Sequence, residues 1–293
     1  MRHAILGAGG IGGFIGAVLG HGGHAVTLLL HRESLAAHPD ALTLRSPLGA
    51  VSTPVARATA LAEEVDILWV AVKAPQLEAA LDAVPEPGRA RMVVPLLNGI
   101  DHVALLRSRC GDDRVVPATI AGEMERTALG QIDHRSPFAR LAFPSAAEAG
   151  LAPVVRTLTA FGCTCAFLPD EATLLWRKLV LLAPIALTTS AAGMTVGEVR
   201  DDAAWRARLE GMVREACAVA AASGADVDPA TTLQTLLAFP GALRSSMSKD
   251  VAAGRPPELD AIAGPILRGG RRLGIPVPLT AELEGTLRAA LRS

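Results

Sequence analysis

The sequence predicts an α/β domain followed by an all-α domain, and three observations carry that prediction. Apolar runs of strand length alternate with helical segments through the first half of the 293 residues. That alternation stops near residue 168, and long Ala/Leu/Arg-rich segments at helical period fill the remainder. Half of the residues are hydrophobic, ample for two cores, and the expected domains are 1–168 and 169–293. No internal repeat or low-complexity linker separates them, so the boundary is expected to be a packed joint, a favoured setting for ligand clefts.

The elements come in order. Ala4–Leu6 reads as a strand and runs straight into Gly7-Ala8-Gly9-Gly10-Ile11-Gly12, spaced G-x-G-x-x-G, and Phe14–Leu19 continues as an apolar helix. This strand, turn and helix make the fingerprint of a dinucleotide site. The first glycine permits the tight turn, the second lets backbone approach a pyrophosphate, and the third lets helix pack on sheet. The helix N-terminus adds free N–H groups and partial positive charge. Further strands are expected at Ala25–Leu30, Ile67–Val72, Met92–Leu97 and Val115–Ala118, with helices starting near Pro75 and Asp101. The first domain is therefore expected to be a Rossmann-type parallel sheet with crossover helices. Short strands at Gly130–His134 and Arg140–Phe143 close it, and Ala147–Phe161 reads as a helix. The second domain reads as helices around 170–192, 202–223, 229–238 and 258–273, with Pro184 expected to kink or end the first of them.

Composition excludes several classes. A formal net charge of −1 provides no basic field for nucleic acid or an anionic membrane. The four cysteines include one C-x-C pair but no C-x-x-C and no flanking histidines, so no metal site is expected and the thiols read as idle. Arg2 ahead of a small-residue apolar run imitates a secretory leader, but the glycine fingerprint interrupts the run and a second strand follows. The longest later apolar run, Leu179–Leu187, falls far short of the roughly 20 residues that span a bilayer. A cytoplasmic protein is expected.

Cofactor choice turns on the residues just past the second strand. An acidic residue there suits the ribose 2′-hydroxyl of NAD, whereas cationic groups suit the 2′-phosphate of NADP. His31-Arg32 stands at that point, which favours NADP, although Glu33 comes next and Arg32 could be a solvated surface residue. Lysine usage is the clue to mechanism. Only Lys73, Lys178 and Lys249 are lysines among 28 basic residues. Unlike arginine, a lysine can be desolvated to a lower pKa and hand over a proton. Lys178 sits among apolar residues from Leu174 to Leu181 and reads as a general acid, or alternatively as a snorkelling surface lysine. Lys73 follows a buried-type strand at its carboxyl end, where ligands of open α/β sheets bind, and Lys249 lies in a polar stretch. The single asparagine, Asn98, ends another apolar strand, either as an Asn-Gly turn or as an amide facing the ligand edge.

These residues converge on a family. Gly7–Gly12, Val72-Lys73-Ala74-Pro75-Gln76, Leu97-Asn98-Gly99, Trp176-Arg177-Lys178-Leu179, Ser245–Asp250, Glu258-Leu259-Asp260 and the tail Leu273–Pro278 come in the order and spacing of ketopantoate reductases. The chain resembles that family over nearly its full length. The resemblance implies NADPH-dependent reduction of a 2-keto acid, most simply 2-dehydropantoate to pantoate in pantothenate and CoA biosynthesis. Lys178 would be the proton donor, and Glu258 the carboxylate that pairs with it near ribose and substrate. Asn98 would touch cofactor and substrate, Ser246 would bind substrate, and Lys73 and the backbone at Gly122-Glu123 would contact cofactor. Glu258 could instead form a helix-surface ion pair, and Ser246 could be a helix cap.

The chain also departs from the pattern. Members commonly carry asparagines where Leu182, Ala186 and Leu243 stand. A carboxylate or hydroxyl buried there without a partner costs about 1–3 kcal/mol per lost hydrogen bond. Two alternatives to ketopantoate reduction therefore stay open: a family-like oxidoreductase for a more apolar 2-keto acid, and an inactive NADP-binding sensor. Retention of the proton donor argues against the sensor. The helical half leaves a homodimer open.

Overall fold

The computed structural model describes residues 1–292. The chain forms two compact units. One comprises Met1–Leu97 with His102–Glu171, and the other comprises Asn98–Asp101 with the chain from Ala172 onward. The four residues 98–101 thus fold with the helical unit although 70 residues of the first unit follow them in sequence.

The first unit contains, in chain order, β1 (Arg2–Leu6), α1 (Gly10–His21), β2 (Ala25–Leu29), α2 (Arg32–Leu35), β3 (Ala41–Arg45), β4 (Val51–Pro54), β5 (Ala56–Ala58), β6 (Val65–Val70), α3 (Leu77–Ala80), β7 (Ala90–Pro95), α4 (His102–Cys110), β8 (Thr119–Ala121), β9 (Met124–Ala128), β10 (Gln131–His134), β11 (Arg140–Pro144), α5 (Glu148–Ala160) and β12 (Thr164–Leu168). Five strands form an all-parallel sheet in the order β5-β2-β1-β6-β7. The chain moves outward from β1 through β2 to β5 and then returns to β6 on the other side of β1. The carboxyl ends of β1 and β6 are therefore the topological switch point, where open α/β sheets bind ligands. Continuous apolar runs such as Ile67–Val70 suit strands covered on both faces, and these residues are fully buried.

The parallel sheet expected from sequence is present, and two further sheets, β4-β3-β10-β9 and β12-β11-β8, stand beside it in the same unit. The strand expected at Val115–Ala118 reduces to one isolated bridge, Val115 to Val93. Pro117 lacks the N–H that a ladder needs, so pairing resumes only at β8, antiparallel to β11.

A directed chain of hydrogen bonds crosses this unit. Trp69 Nε1 donates to His3 Nδ1 at 3.3 Å, which fixes the His3 proton on Nε2. His3 Nε2 then donates to His24 Nδ1 at 2.8 Å, and His24 Nε2 donates to Thr157 Oγ1 at 2.9 Å. Thr157 closes the chain on the Pro153 carbonyl at 3.2 Å. Both imidazoles must be neutral for this to hold. Burial first, then the neighbouring His24, pulls the His3 pKa down to about 3. The unfolded chain binds the proton near pH 6.5 and the folded chain does not, so stability falls as pH drops from 6.5 toward 3. His3 alone is expected to cost about 2 kcal/mol by about pH 5. Urea denaturation at neutral and acid pH checks this: His3→Gln, whose amide can accept and donate in the same chain without titrating, should flatten the acid loss.

The second unit is helical: α6 (Glu171–Ala192, its first residue belonging to the first unit), α7 (Val196–Asp201), α8 (Ala203–Ala222), α9 (Pro229–Leu237), α10 (Ser246–Ala252), α11 (Leu259–Leu273) and α12 (Pro278–Ala290). Trp176, Leu179, Ala183 and Leu187 of α6 pack with Met212, Val213 and Ala216 of α8 and Ile262 and Ile266 of α11. The helix expected over 170–192 is present, and of the two outcomes expected at Pro184, a kink or an end, α6 does not end there. The hydroxyls of Thr188 and Thr189 donate to the carbonyls of Pro184 and Ile185, each at 2.6 Å. By extending the run Leu179–Leu187 on both sides, α6 reaches 22 residues and a mean hydropathy of 1.3, enough to span a membrane by length and composition alone. Of that apolar stretch 72% is buried inside the protein, as in a core helix.

Candidate active site

The glycine fingerprint lies at the switch point, running from the end of β1 into the first turn of α1. Gly7 has φ +99°, and a Cβ there would stand 2.7 Å from the Val72 nitrogen just past β6. A Cβ on Gly12 would stand 2.1 Å from the Gly7 carbonyl oxygen and 2.9 Å from Ile5. These two glycines are required by the fold itself. Gly9 differs: a Cβ there would meet nothing within 4 Å. Its bareness leaves open space at the N-cap of α1, a 12-residue helix with no acidic residue in its first turn. A pyrophosphate fits this cradle, because N–H groups of the first turn lack helical partners and no carboxylate competes there.

Several other residues expected to face cofactor belong to the same unit. Leu29 of β2 pairs with Leu6 of β1, and β2 leads to exposed His31 and Arg32 at the start of α2. Among the described residues the Arg32 guanidinium has no partner, and Glu33 beside it is equally exposed. Exposed Lys73 follows Val72, the residue against which Gly7 packs. Glu123 is held by its backbone, donating to Ser136 Oγ at 3.0 Å and accepting from the Arg135 N–H at 2.8 Å. The next residue, Met124, turns its carbonyl to the spot that a Gly10 Cβ would occupy.

Asn98, Glu258 and Lys178 belong to the helical unit. Gly99, at φ +82°, reverses the chain after Asn98 and packs so closely on α11 that a Cβ would stand 2.2 Å from the Ala261 carbonyl oxygen. That carbonyl lacks its usual helical donor, because residue 265, four positions on, is proline. The close approach brings Asn98 to the N-cap of α11, where its Nδ2 donates to Glu258 Oε2 at 3.0 Å. The Glu258 carboxylate acts in turn on Lys178. Burial lowers the Lys178 pKa to about 8, while the Glu258 charge opposes that fall. Near neutral pH the ammonium is about nine-tenths protonated. It is nonetheless far readier to release its proton than an exposed lysine.

Ser246 is the exposed first residue of α10. Its buried neighbour Ser245 is the cap, accepting from the Ser248 N–H at 3.0 Å and lying 2.9 Å from Thr189 Oγ1 of α6. Since Thr189 donates to the Ile185 carbonyl, Ser245 must donate to Thr189. The helix bearing Lys178 is thereby tied to the start of α10. Sequence reasoning did not single out Thr189 or Ser245, because buried Ser and Thr carry no signal of their own partners. Of the residues expected beside the proton donor, Ala186 is fully buried, and Leu182 and Leu243 pack against the helical core.

A parallel sheet with this fingerprint at its switch point, joined in one chain to a helical unit holding a tuned lysine, is the arrangement of a nicotinamide dinucleotide-dependent oxidoreductase. The family Ketopantoate reductase PanE/ApbA matches residues 3–148, and Ketopantoate reductase PanE/ApbA C terminal matches residues 172–290. The 2-dehydropantoate 2-reductase of Caulobacter vibrioides is 31% identical over 301 residues, covering 98% of each chain. Among solved structures, a PanE/ApbA family ketopantoate reductase from Ralstonia eutropha aligns at a TM-score of 0.87 and 26% identity, covering 100% of this chain and 99% of that one. D-mandelate dehydrogenase, solved with NADH and anilino(oxo)acetate, has the same fold at a TM-score of 0.87 and 20% identity, with the same coverage. The chain belongs to the ketopantoate reductase family, whose reaction is the reduction of a 2-keto acid.

Proposed function

We propose that the protein reduces 2-dehydropantoate to pantoate with NADPH, as a step in pantothenate and CoA biosynthesis, and that Lys178 supplies the proton. The observation that carries this reading is the Lys178 ammonium, lowered to about 8 by burial and opposed by a carboxylate that Asn98 holds by a hydrogen bond. A nicotinamide held there would supply a hydride to the keto carbon. As the carbonyl electron pair moves onto oxygen, Lys178 Nζ transfers its proton there, and the neutral amine regains a proton from solvent. Glu258 keeps Lys178 charged until that moment. Gly7, Ala8, Gly9, Gly10, Ile11 and Gly12 would bind the pyrophosphate through backbone, and Arg32 with His31 would hold the 2′-phosphate. Lys73, Asn98, Glu123 and Glu258 would complete the cofactor contacts, and Ser246 with Asn98 would orient the substrate.

A second reading has one observation in its favour. Four residues beyond Lys178, its helix carries half-buried Leu182, which cannot hydrogen-bond a substrate hydroxyl, while Ala186, eight beyond, is closed off in the core. Such a surface suits a 2-keto acid with a more apolar side chain. NADPH oxidation followed with 2-dehydropantoate and a series of branched and aromatic 2-keto acids separates the two. The first reading expects the highest kcat/KM for 2-dehydropantoate, with NADPH preferred to NADH and that preference reduced in Arg32→Ala. Turnover of the apolar acids alone would favour the second, and binding of NADPH without turnover of any acid would contradict both.

A further inference from the structure

The Asn98–Glu258 hydrogen bond joins two pieces of chain 160 residues apart, and neither piece is held by that bond alone. Three residues beyond Asn98 stands Asp101, and two beyond Glu258 stands Asp260. Between them lies Arg268, one guanidinium shared by both carboxylates. Its Nε donates to Asp101 Oδ2 at 3.2 Å, its Nη1 to Asp260 Oδ1 at 2.9 Å, and its Nη2 to Asp260 Oδ2 at 3.2 Å. We propose that Arg268 is a positioning residue of the active site, clamping the segment that carries Asn98 to the first turn of α11 and so holding Glu258 where its charge acts on Lys178.

Two features of α11 are fitted to this clamp. Arg268 sits eight residues beyond Asp260, and its side chain runs back toward the helix N-terminus, the direction in which helical side chains lean. Gly264 clears the way: a Cβ there would stand 2.1 Å from Arg268 Nη2 and 2.6 Å from Cζ. A glycine inside a helix is disfavoured by about 1 kcal/mol against alanine, so its bareness calls for a reason, and the guanidinium lying over it is one. Removing the guanidinium leaves Asp101 and Asp260, which now share one cation, facing each other as like charges. They would repel and carry the two chain pieces apart. The clamp is half-exposed, so its direct worth to folding is small. Among the described residues Glu258 is the charge that acts on Lys178, so its displacement has a definite sign. The support that Lys178 receives against desolvation weakens, and its pKa falls below about 8.

The consequence for turnover rests on the proposed role of Lys178, but the test does not. The chain has three lysines, so the protein labelled with lysine carrying 13C at Cε gives three titrating signals, and Lys178→Ala identifies the one in question. Glu258→Gln is expected to lower the Lys178 pKa by about one unit. Arg268→Gln should lower it by part of that, with no further fall in the Glu258→Gln background, and Asp101→Asn added to Arg268→Gln should recover much of the loss. Gly264→Ala separates positioning from stability. It should displace the guanidinium and lower the Lys178 pKa, while the alanine leaves Tm unchanged or raised. If Arg268→Gln does not fold, Gly264→Ala decides alone. A Lys178 pKa unchanged in the folded Arg268→Gln and Gly264→Ala proteins, with Glu258→Gln shifted, overturns the proposal. Failure of the proposed reaction would look different: Lys178→Ala would keep its turnover whatever the titrations give.

Discussion

Lys178→Ala is expected to lower kcat for 2-keto acid reduction by about 10²–10⁴-fold, the range by which a positioned proton donor accelerates such a step. KM for the keto acid should change far less, because the proton is needed only as negative charge develops on oxygen. The fold should survive the substitution. The site as a whole lowers the pKa of this ammonium, so its removal relieves the burial of a charge, and Glu258 keeps the hydrogen bond from Asn98. Lys178→Arg should fail almost as completely as alanine. An arginine stays protonated near neutrality and cannot complete the transfer.

The fingerprint glycines should divide into two classes. At Gly9 a side chain enters open space, and φ −81° and ψ −162° are backbone values that any residue adopts. Gly9→Val should therefore fold, with an N-cap penalty of about 1 kcal/mol or less, yet fill the cradle meant for phosphate. Losing one or two charge-assisted hydrogen bonds there, at about 1.5–3 kcal/mol each, raises the dissociation constant for NADPH about 100-fold. Gly12→Ala meets the Gly7 carbonyl oxygen at 2.1 Å and must move backbone, so its first effect is on stability, by about 1–3 kcal/mol. Calorimetric titration with NADPH, paired with thermal unfolding of both variants, distinguishes the classes. Equal loss of Tm in both would contradict the division.

The features legible in the sequence were local. Strand, glycine turn and helix are contiguous at residues 2–21, and their meaning depends on few distant contacts. Lys178 stood out because arginine has replaced lysine almost everywhere else, and its apolar flanks correctly signalled desolvation. The strands β3, β4 and β5 were not legible, being three to five residues long and partly exposed. The ladder that gives β3 its place comes from β10, where Thr43 meets Gln131 across nearly ninety residues. Pro184 does not break α6 for a physical reason: a proline removes one helical hydrogen bond, here the one to the Val180 carbonyl, and a helix buried along most of its length by packing absorbs that loss. The fold membership of Asn98 was also hidden. Nothing near residue 98 announces that it packs on a helix beginning at 259, and Asp101 and Arg268, 167 residues apart, look like two ordinary surface charges.

Proton donation by Lys178 is tested most directly by the pH dependence of kcat for NADPH-driven reduction of 2-dehydropantoate, measured from about pH 6 to about pH 10 in the native protein and in Glu258→Gln. A proton donor with its pKa near 8 requires kcat to be level below that point and to fall about tenfold per unit above it. In Glu258→Gln the fall should begin at lower pH, since the charge that raises the lysine's affinity for its proton is gone. A profile that stays level through about pH 9, or a limb that does not move when Glu258 is neutralised, would contradict proton donation by Lys178.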